Sequence, residues 1–276
     1  MSFKAACVQI SATPDALHDI DVLTRLTREA AKAGAQFVGL PEYCAGLDSK
    51  DGSLYPVAPA EEEHPVLPAM AALARELSIW LLIGSIGVKS ADGRIHNRSF
   101  MLTPEGMIAA RYDKIHLFDV DLGEGRLYRE SATIAPGETA VIAPCLEGSI
   151  GLSICYDIRF PHLYRAYAQA GAGIMAIPAA FTRVTGEAHW HVLQRARAIE
   201  NGAYVIAPAQ YGTLSGGGQC YGHSLIVDPW GRVLADAGEG EGFIIAEIDL
   251  AQVAETRRRI PSLTHDRAFS PSRLLG

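Results

Sequence analysis

The chain lacks an excess of positive charge: its 276 residues carry 24 Lys and Arg against 31 Asp and Glu, a formal net charge of −7. Nucleic-acid binding rests on clustered cations that neutralise phosphates, so that class of partner is set aside. The one basic run, Arg257-Arg258-Arg259, falls near the end of an expected helix, where cations suit the helix dipole. Long apolar runs are missing too, and with them any segment fit to cross a bilayer as a helix. Met1-Ser2-Phe3-Lys4 leads into a strand pattern with no signal-peptide signature. Cysteines are few and odd in number (Cys7, Cys44, Cys145, Cys155 and Cys220), and no two stand in CxxC spacing. That argues against a disulfide framework and a zinc cage. HExxH is absent, and His189 and His191 stand two apart, off a shared helix face. There is no low-complexity segment and no linker-like shift in composition. We expect a soluble, reduced, cytoplasmic protein with neither nucleic acid nor membrane as partner, folded as one domain over 1–276.

What is present reads as α/β. Residues 3–10 form a short buried strand pattern. Over 15–33 apolar residues recur at Leu17, Ile20, Leu23, Leu26 and Ala30, the spacing of an amphipathic helix, and Gly34 stops it. Residues 36–40 are a strand ending in Pro41-Glu42-Tyr43, and 44–64 are loop-like. Helix 65–77 and strand 79–88 follow. Residues 95–103 and 107–112 read as a hairpin, 117–137 as irregular, and 149–155 as a strand. Helix 161–170, strand 173–178, helix 187–201 and strand 203–209 repeat the alternation. A second hairpin spans 223–228 and 232–236, before strand 243–248, helix 250–259 and a polar tail. Two mixed sheets with helices outside both, a four-layer α-β-β-α sandwich, accommodate this pattern. A single doubly wound sheet fits the hairpins less well.

The densest chemistry lies in Gly151-Leu152-Ser153-Ile154-Cys155-Tyr156-Asp157-Ile158-Arg159-Phe160-Pro161. An apolar strand runs into a polar turn, with Cys155 where they meet. A free thiol has a pKa of about 8.5 and needs help to attack at neutral pH; the plain alternative is a small buried hydrophobe. Glu42, at a strand end, is a candidate general base or else a solvated loop carboxylate. Lys114, in Tyr112-Asp113-Lys114-Ile115-His116, can lower a thiol pKa and hold an oxyanion, or be a surface lysine. Glu130 is a further loop carboxylate. The turn after Cys155 offers backbone N–H groups, Tyr156 first. Gly151-Leu152-Ser153-Ile154-Cys155 approaches GxSxG but lacks the second glycine, which argues against a serine hydrolase. Arg159 is expected to pair with Asp157 or a loop carbonyl, His189 to be satisfied near a helix start, and His223 to bond across the sheets. Trp190 and Trp230 read as core or interface residues.

Together these residues resemble the nitrilase superfamily of carbon-nitrogen hydrolases. The match runs through Leu40-Pro41-Glu42, Tyr112 to Leu117, and Ser153 to Pro161. It continues through Phe181 to Trp190, Leu193 to Asn201, Tyr221-Gly222-His223-Ser224 and Val227 to Gly231, nearly the whole chain. The resemblance implies a Glu42-Lys114-Cys155 triad, with Glu130 as second carboxylate beside Lys114, acting without metal or organic cofactor. It implies the α-β-β-α sandwich, assembled as a homodimer or higher homo-oligomer, with the tail of about 260–276 at the interface. The His-Trp helix and the Gly-His-Ser and Asp-Pro-Trp-Gly segments resemble the Nit-type amidases. The expected reaction is therefore hydrolysis of an amide in a small carboxylate-bearing substrate through a thioester, releasing ammonia. Deaminated glutathione leads as substrate. The alternatives are ω-amidase action on 2-oxoglutaramate or 2-oxosuccinamate, N-carbamoyl amino acid hydrolysis, and a catalytically silent binding protein. Arg183, Thr182 and Tyr43 are the candidates to hold the substrate carboxylate, Arg183 first because guanidinium grips carboxylate bidentately. The 44–64 segment departs from the expected pattern beside Glu42.

Overall fold

Burial along β1 (Ser2–Gln9) alternates between two cores, and this period of two sets the layers. Phe3, Ala5 and Cys7 enter one core, while Ala6 and Val8 enter the other. The computed structural model describes residues 2–50, 53–90, 92–123 and 126–270. After β1 come α1 (Ala16–Lys32), β2 (Phe37–Gly39), β3 (Leu47–Lys50), β4 (Ser53–Pro56), α2 (Val66–Leu77), β5 (Trp80–Lys89), β6 (Ile95–Leu102) and β7 (Ile108–Asp113). Then follow β8 (Asp119–Asp121), β9 (Leu127–Arg129), β10 (Ile134–Ala135), β11 (Val141–Cys145), β12 (Gly148–Leu152), α3 (Pro161–Gln169), β13 (Ile174–Ala176), α4 (Arg183–Asn201) and β14 (Tyr204–Ala207). The chain ends through β15 (Tyr211–Thr213), β16 (Gln219–Tyr221), β17 (Leu225–Val227), β18 (Val233–Asp236), β19 (Gly242–Asp249) and α5 (Leu250–Arg259).

One mixed sheet runs β10-β6-β5-β2-β1-β19, with β7 also on β6; the other runs β11-β12-β13-β14-β17-β18. Phe3, Ala5, Cys7, Phe37, Leu82 and Met101 of the first sheet share a core with Ala143, Ile150, Leu152 and Val205 of the second. The outer face of the first sheet is covered by Leu23, Leu26 and Ala30 of α1 and by Val66, Met70 and Leu73 of α2. α3 and α4 cover the second sheet with Leu163, Tyr164, Tyr167 and Trp190. The layers are therefore α-β-β-α. Burying one such leucine contributes roughly 2 kcal/mol. α1 starts where Asp15 accepts the N–H groups of Leu17 at 3.0 Å and His18 at 3.2 Å, a cap worth about 1 kcal/mol. Gly34 follows it at φ +97°.

Three local expectations are corrected. The strand before the Cys155 turn stops at Leu152, and Cys155 opens a 3-10 turn, Cys155–Arg159. Ser153 leaves the ladder because its hydroxyl is held at 2.7 Å by both Tyr164 Oη and the Ala176 carbonyl. Ile154 leaves because its N–H donates to the Asp157 carboxylate at 2.8 Å. That buried Ser153 also disposes of the serine-hydrolase reading. α4 begins a turn earlier than expected, and Gly186 lies within it because a Cβ there would stand 2.3 Å from the Tyr221 ring. Segments 44–64 and 117–137 are not plain loops: they fold into the β3-β4 and β8-β9 ribbons.

Candidate active site

Glu42 is projected by a turn that closes against β5. The β5-β6 register shifts between Ile83 and Ile86. At Gly84, inside that shift, a Cβ would meet the Leu40 carbonyl at 2.0 Å, so only glycine fits. Ser85 then donates its N–H to the Pro41 carbonyl at 3.2 Å and accepts the Tyr43 N–H on its hydroxyl at 2.9 Å. Tyr43 sits at φ +47°, a costly conformation for a bulky residue, and the amide of Gln210 holds it by donating to the Glu42 and Tyr43 carbonyls at 3.0 Å each.

Lys114 stands one residue past β7. Its N–H donates to the Asn97 carbonyl at 2.9 Å, and its own carbonyl accepts from Gly137 at 2.8 Å. Its ammonium reaches Glu42 Oε1 at 3.0 Å and both oxygens of Glu130, at 3.0 and 2.9 Å. The Asn97 amide donates to Glu42 Oε1 at 2.8 Å and to Glu130 Oε1 at 3.4 Å. Backbone groups complete the two carboxylates: Ala180 N–H on Glu42 Oε2 at 2.7 Å, Phe118 N–H on Glu130 Oε2 at 2.6 Å. Asn97 Oδ1 is buried and has no partner.

Cys155 adopts φ +48° and donates its N–H to the Pro178 carbonyl at 2.8 Å. Its turn is tied down by Asp157, fully buried. Oδ2 accepts the Tyr112 hydroxyl at 2.6 Å as well as the Ile154 N–H, and Oδ1 accepts the His116 N–H at 3.0 Å and faces its Nδ1 at 2.7 Å. The thiol and the Glu42 carboxylate line the same cavity. Burial first, and the Glu42 charge second, push the thiol pKa well above its ordinary value despite the pull of Lys114. The expectation that Lys114 lowers it is thus outweighed. Lys114 is drawn down by burial, but the Glu130 and Glu42 charges prevail and hold it firmly as ammonium. Burial raises Glu130 against the opposing Lys114 charge. The resting arrangement is a protonated thiol under the influence of the Glu42 charge, beside a fixed cation. A carboxylate there is set to take the proton only as the sulfur attacks.

These groups open into a cavity of about 280 Å³ lined by Glu42, Lys114, Glu130 and Cys155. Tyr43, Tyr156 and Thr182 line it as well, whereas Arg183 does not. Arg183 lies on the exposed start of α4 and pairs with Glu187 at 3.2 Å and Glu239 at 2.8 Å. The arginine among the lining residues is Arg129, on β9. Ser53, Leu54 and Tyr55 bring the departing 44–64 segment into the wall. Arg159 does not pair with Asp157, whose oxygens are already taken; it lies over the Tyr156 and Phe181 rings at 5.8 and 5.4 Å and meets His189 Nδ1 at 3.3 Å. Asn97, the Asp157 strap and Arg129 were missed from sequence. Asn97 had one faint signal, a carboxamide inside a strand.

Residues 4–258 match the carbon-nitrogen hydrolase family. A deaminated glutathione amidase of Synechocystis is 40% identical over 270 residues, 95% of this chain and 97% of that protein. A human omega-amidase NIT2 is 37% identical over 268 residues, 97% of this chain and 96% of that one. Among solved structures, Saccharomyces cerevisiae Nit3, of branch 10 of the nitrilase superfamily, superposes with a TM-score of 0.85 at 32% identity, covering 97% of each chain.

Proposed function

The chain belongs to the carbon-nitrogen hydrolase family and hydrolyses amides, and we propose that it does so by attack of Cys155 with Glu42 as base. The observation that carries this reading is one cavity lined by Cys155, Glu42 and Lys114, with the Lys114 ammonium on Glu42 at 3.0 Å. As sulfur bonds to the amide carbon, the thiol proton passes to Glu42. The charge that builds on the carbonyl oxygen is held by the Lys114 ammonium and the Tyr156 N–H. Glu42 returns the proton to the departing nitrogen, leaving a thioester on Cys155. It then deprotonates the water that cleaves the thioester. Glu130 and Asn97 keep Lys114 and Glu42 in register.

For the substrate we favour deaminated glutathione. The walls include Tyr55, Phe118, Tyr128, Tyr156 and Phe181, more apolar surface than a five-carbon oxo acid amide needs. In that substrate the scissile nitrogen belongs to a cysteinyl residue, so the leaving group is a dipeptide amine and not the ammonia expected from sequence; ammonia comes from the ω-amidase and N-carbamoyl substrates. Arg129, Thr182 and Tyr43 are the candidates to grip its carboxylates. The test is parallel assay of dipeptide release from deaminated glutathione and ammonia release from 2-oxoglutaramate. A larger kcat/KM for the second would replace the first as substrate; activity retained by Cys155→Ala on both would sink the mechanism.

We also propose a cytoplasmic homodimer. Val184, Val192 and Ile199 line the outer side of α4, with Trp230 and Ile260 exposed as well. Among the described residues the tail over 262–266 lies on α3 of its own chain, where Arg165 and Gln169 bond Ser262, Leu263 and Asp266, while Phe269 is exposed; 271–276 lie outside them. Light scattering on the purified chain distinguishes dimer from monomer.

A further inference from the structure

We propose that His191, His223 and Asp236 form a binding site for a divalent transition-metal ion of the zinc class, outside the catalytic cavity. The three side chains come from separate elements: the middle of α4, the turn after β16, and the end of β18. His191 Nε2 meets Asp236 Oδ2 at 3.0 Å, and His223 Nδ1 meets Asp236 Oδ1 at 2.9 Å. One donor atom from each residue lies within 4.8 Å of the others. Neighbouring ligands about 3 Å apart suit an ion about 2.1 Å from each, and a small ring rotation brings the two nitrogens into the same shell. Two imidazoles and one carboxylate select borderline ions over magnesium or calcium, which favour oxygen ligands. The side chains are 33%, 23% and 33% exposed, so solvent reaches the cluster and water completes the coordination.

The cluster is built rather than incidental. His223 holds φ +54°, its carbonyl accepts the Trp190 indole N–H at 2.7 Å, and its ring stacks on Tyr221 at 4.4 Å. Asp236 Oδ1 also accepts the Gly238 N–H at 2.8 Å, an outer contact that orients the carboxylate. Without an ion, an N–H from each imidazole satisfies Asp236. With one, each ring carries its proton on the far nitrogen. The sequence hides the site because His191 stands beside His189, whereas its partners lie 32 and 45 residues on. Tyr221 donates its N–H to the Phe181 carbonyl at 2.9 Å, and Phe181 and Cys220 line the cavity, so an ion here would brace that wall.

Calorimetric zinc titration tests this on the chelator-treated full chain carrying Cys155→Ser, which removes the cavity thiol as a competitor. One ion per chain is expected. Affinity should fall at least about tenfold with His191→Ala and stay unchanged with His189→Ala. Cobalt titrated into the same Cys155→Ser chain should give visible bands without thiolate charge transfer. No zinc uptake, a thiolate band with the first equivalent, or full affinity in His191→Ala overturns the proposal.

Discussion

Asp157 receives His116 twice on one oxygen, from the backbone N–H at 3.0 Å and at ring Nδ1 at 2.7 Å. His116 lies two residues beyond Lys114, and Asp157 two beyond Cys155. The contact therefore fastens the Cys155 turn to the strand end that carries Lys114. Asp157→Asn swaps one carboxylate oxygen for an amide that donates into existing donors. Hydrogen bonds to a buried charge contribute about 2 kcal/mol each. We expect stability to fall by about 3 kcal/mol in urea titration and kcat to fall more than KM changes. A variant of parental stability and kcat would show that the strap is dispensable.

Glu42→Gln should move two measurements in opposite directions. The Glu42 charge raises the thiol pKa, and Lys114 lowers it. Neutralising Glu42 leaves the cation less opposed, so the thiolate fraction at a given pH rises. Iodoacetamide should label Cys155 faster at pH 8–9 while amidase activity drops by at least about a hundredfold. Slower labelling would contradict the electrostatic account.

Arg129→Gln is expected to raise KM about tenfold on carboxylate substrates with kcat little altered, the pattern of lost uniform binding. Arg183→Gln, on an exposed arginine already paired with Glu187 and Glu239, should leave both constants near parental. If the roles reverse in steady-state kinetics, the assignment from sequence was the right one.

His64 provides a pH handle away from the chemistry. It is buried, and burial lowers its pKa from 6.5 to about 4. The folded state thus binds fewer protons than the unfolded chain between those values. Its contribution is fully present above pH 6.5 and is lost as pH falls toward 4, about 3 kcal/mol in all. Urea midpoints at pH 7 and pH 4.5 should differ less in His64→Leu than in the parent.

Much of the layer architecture was legible because period two and period 3.6 are written by apolar residues. Leu23, Leu26 and Ala30 announce a helix face, and Phe3, Ala5 and Cys7 a strand face. Short ribbons were not. β3-β4 and β8-β9 bury few side chains, so their pairing leaves little pattern. At the site, Glu42, Lys114 and Cys155 could be proposed because each is a charged or nucleophilic group at the end of a strand pattern, whereas Glu130, a loop carboxylate, entered only through the family resemblance. Arg183 misled for the same reason: sequence gives its neighbourhood, but the outward turn of α4 gave it Glu187 and Glu239 instead of the cavity. Asn97 escaped because its importance lies in two partners 33 and 55 residues away.

The groups proposed to react come from both halves of the sandwich: Glu42 and Lys114 follow strands of one sheet, Cys155 a strand of the other. Neither sheet holds a working set by itself. Turnover is therefore a gauge of whether the two halves are docked. In a denaturant series it should vanish as soon as the sheets part, even where each still retains its own hydrogen-bonded ladder.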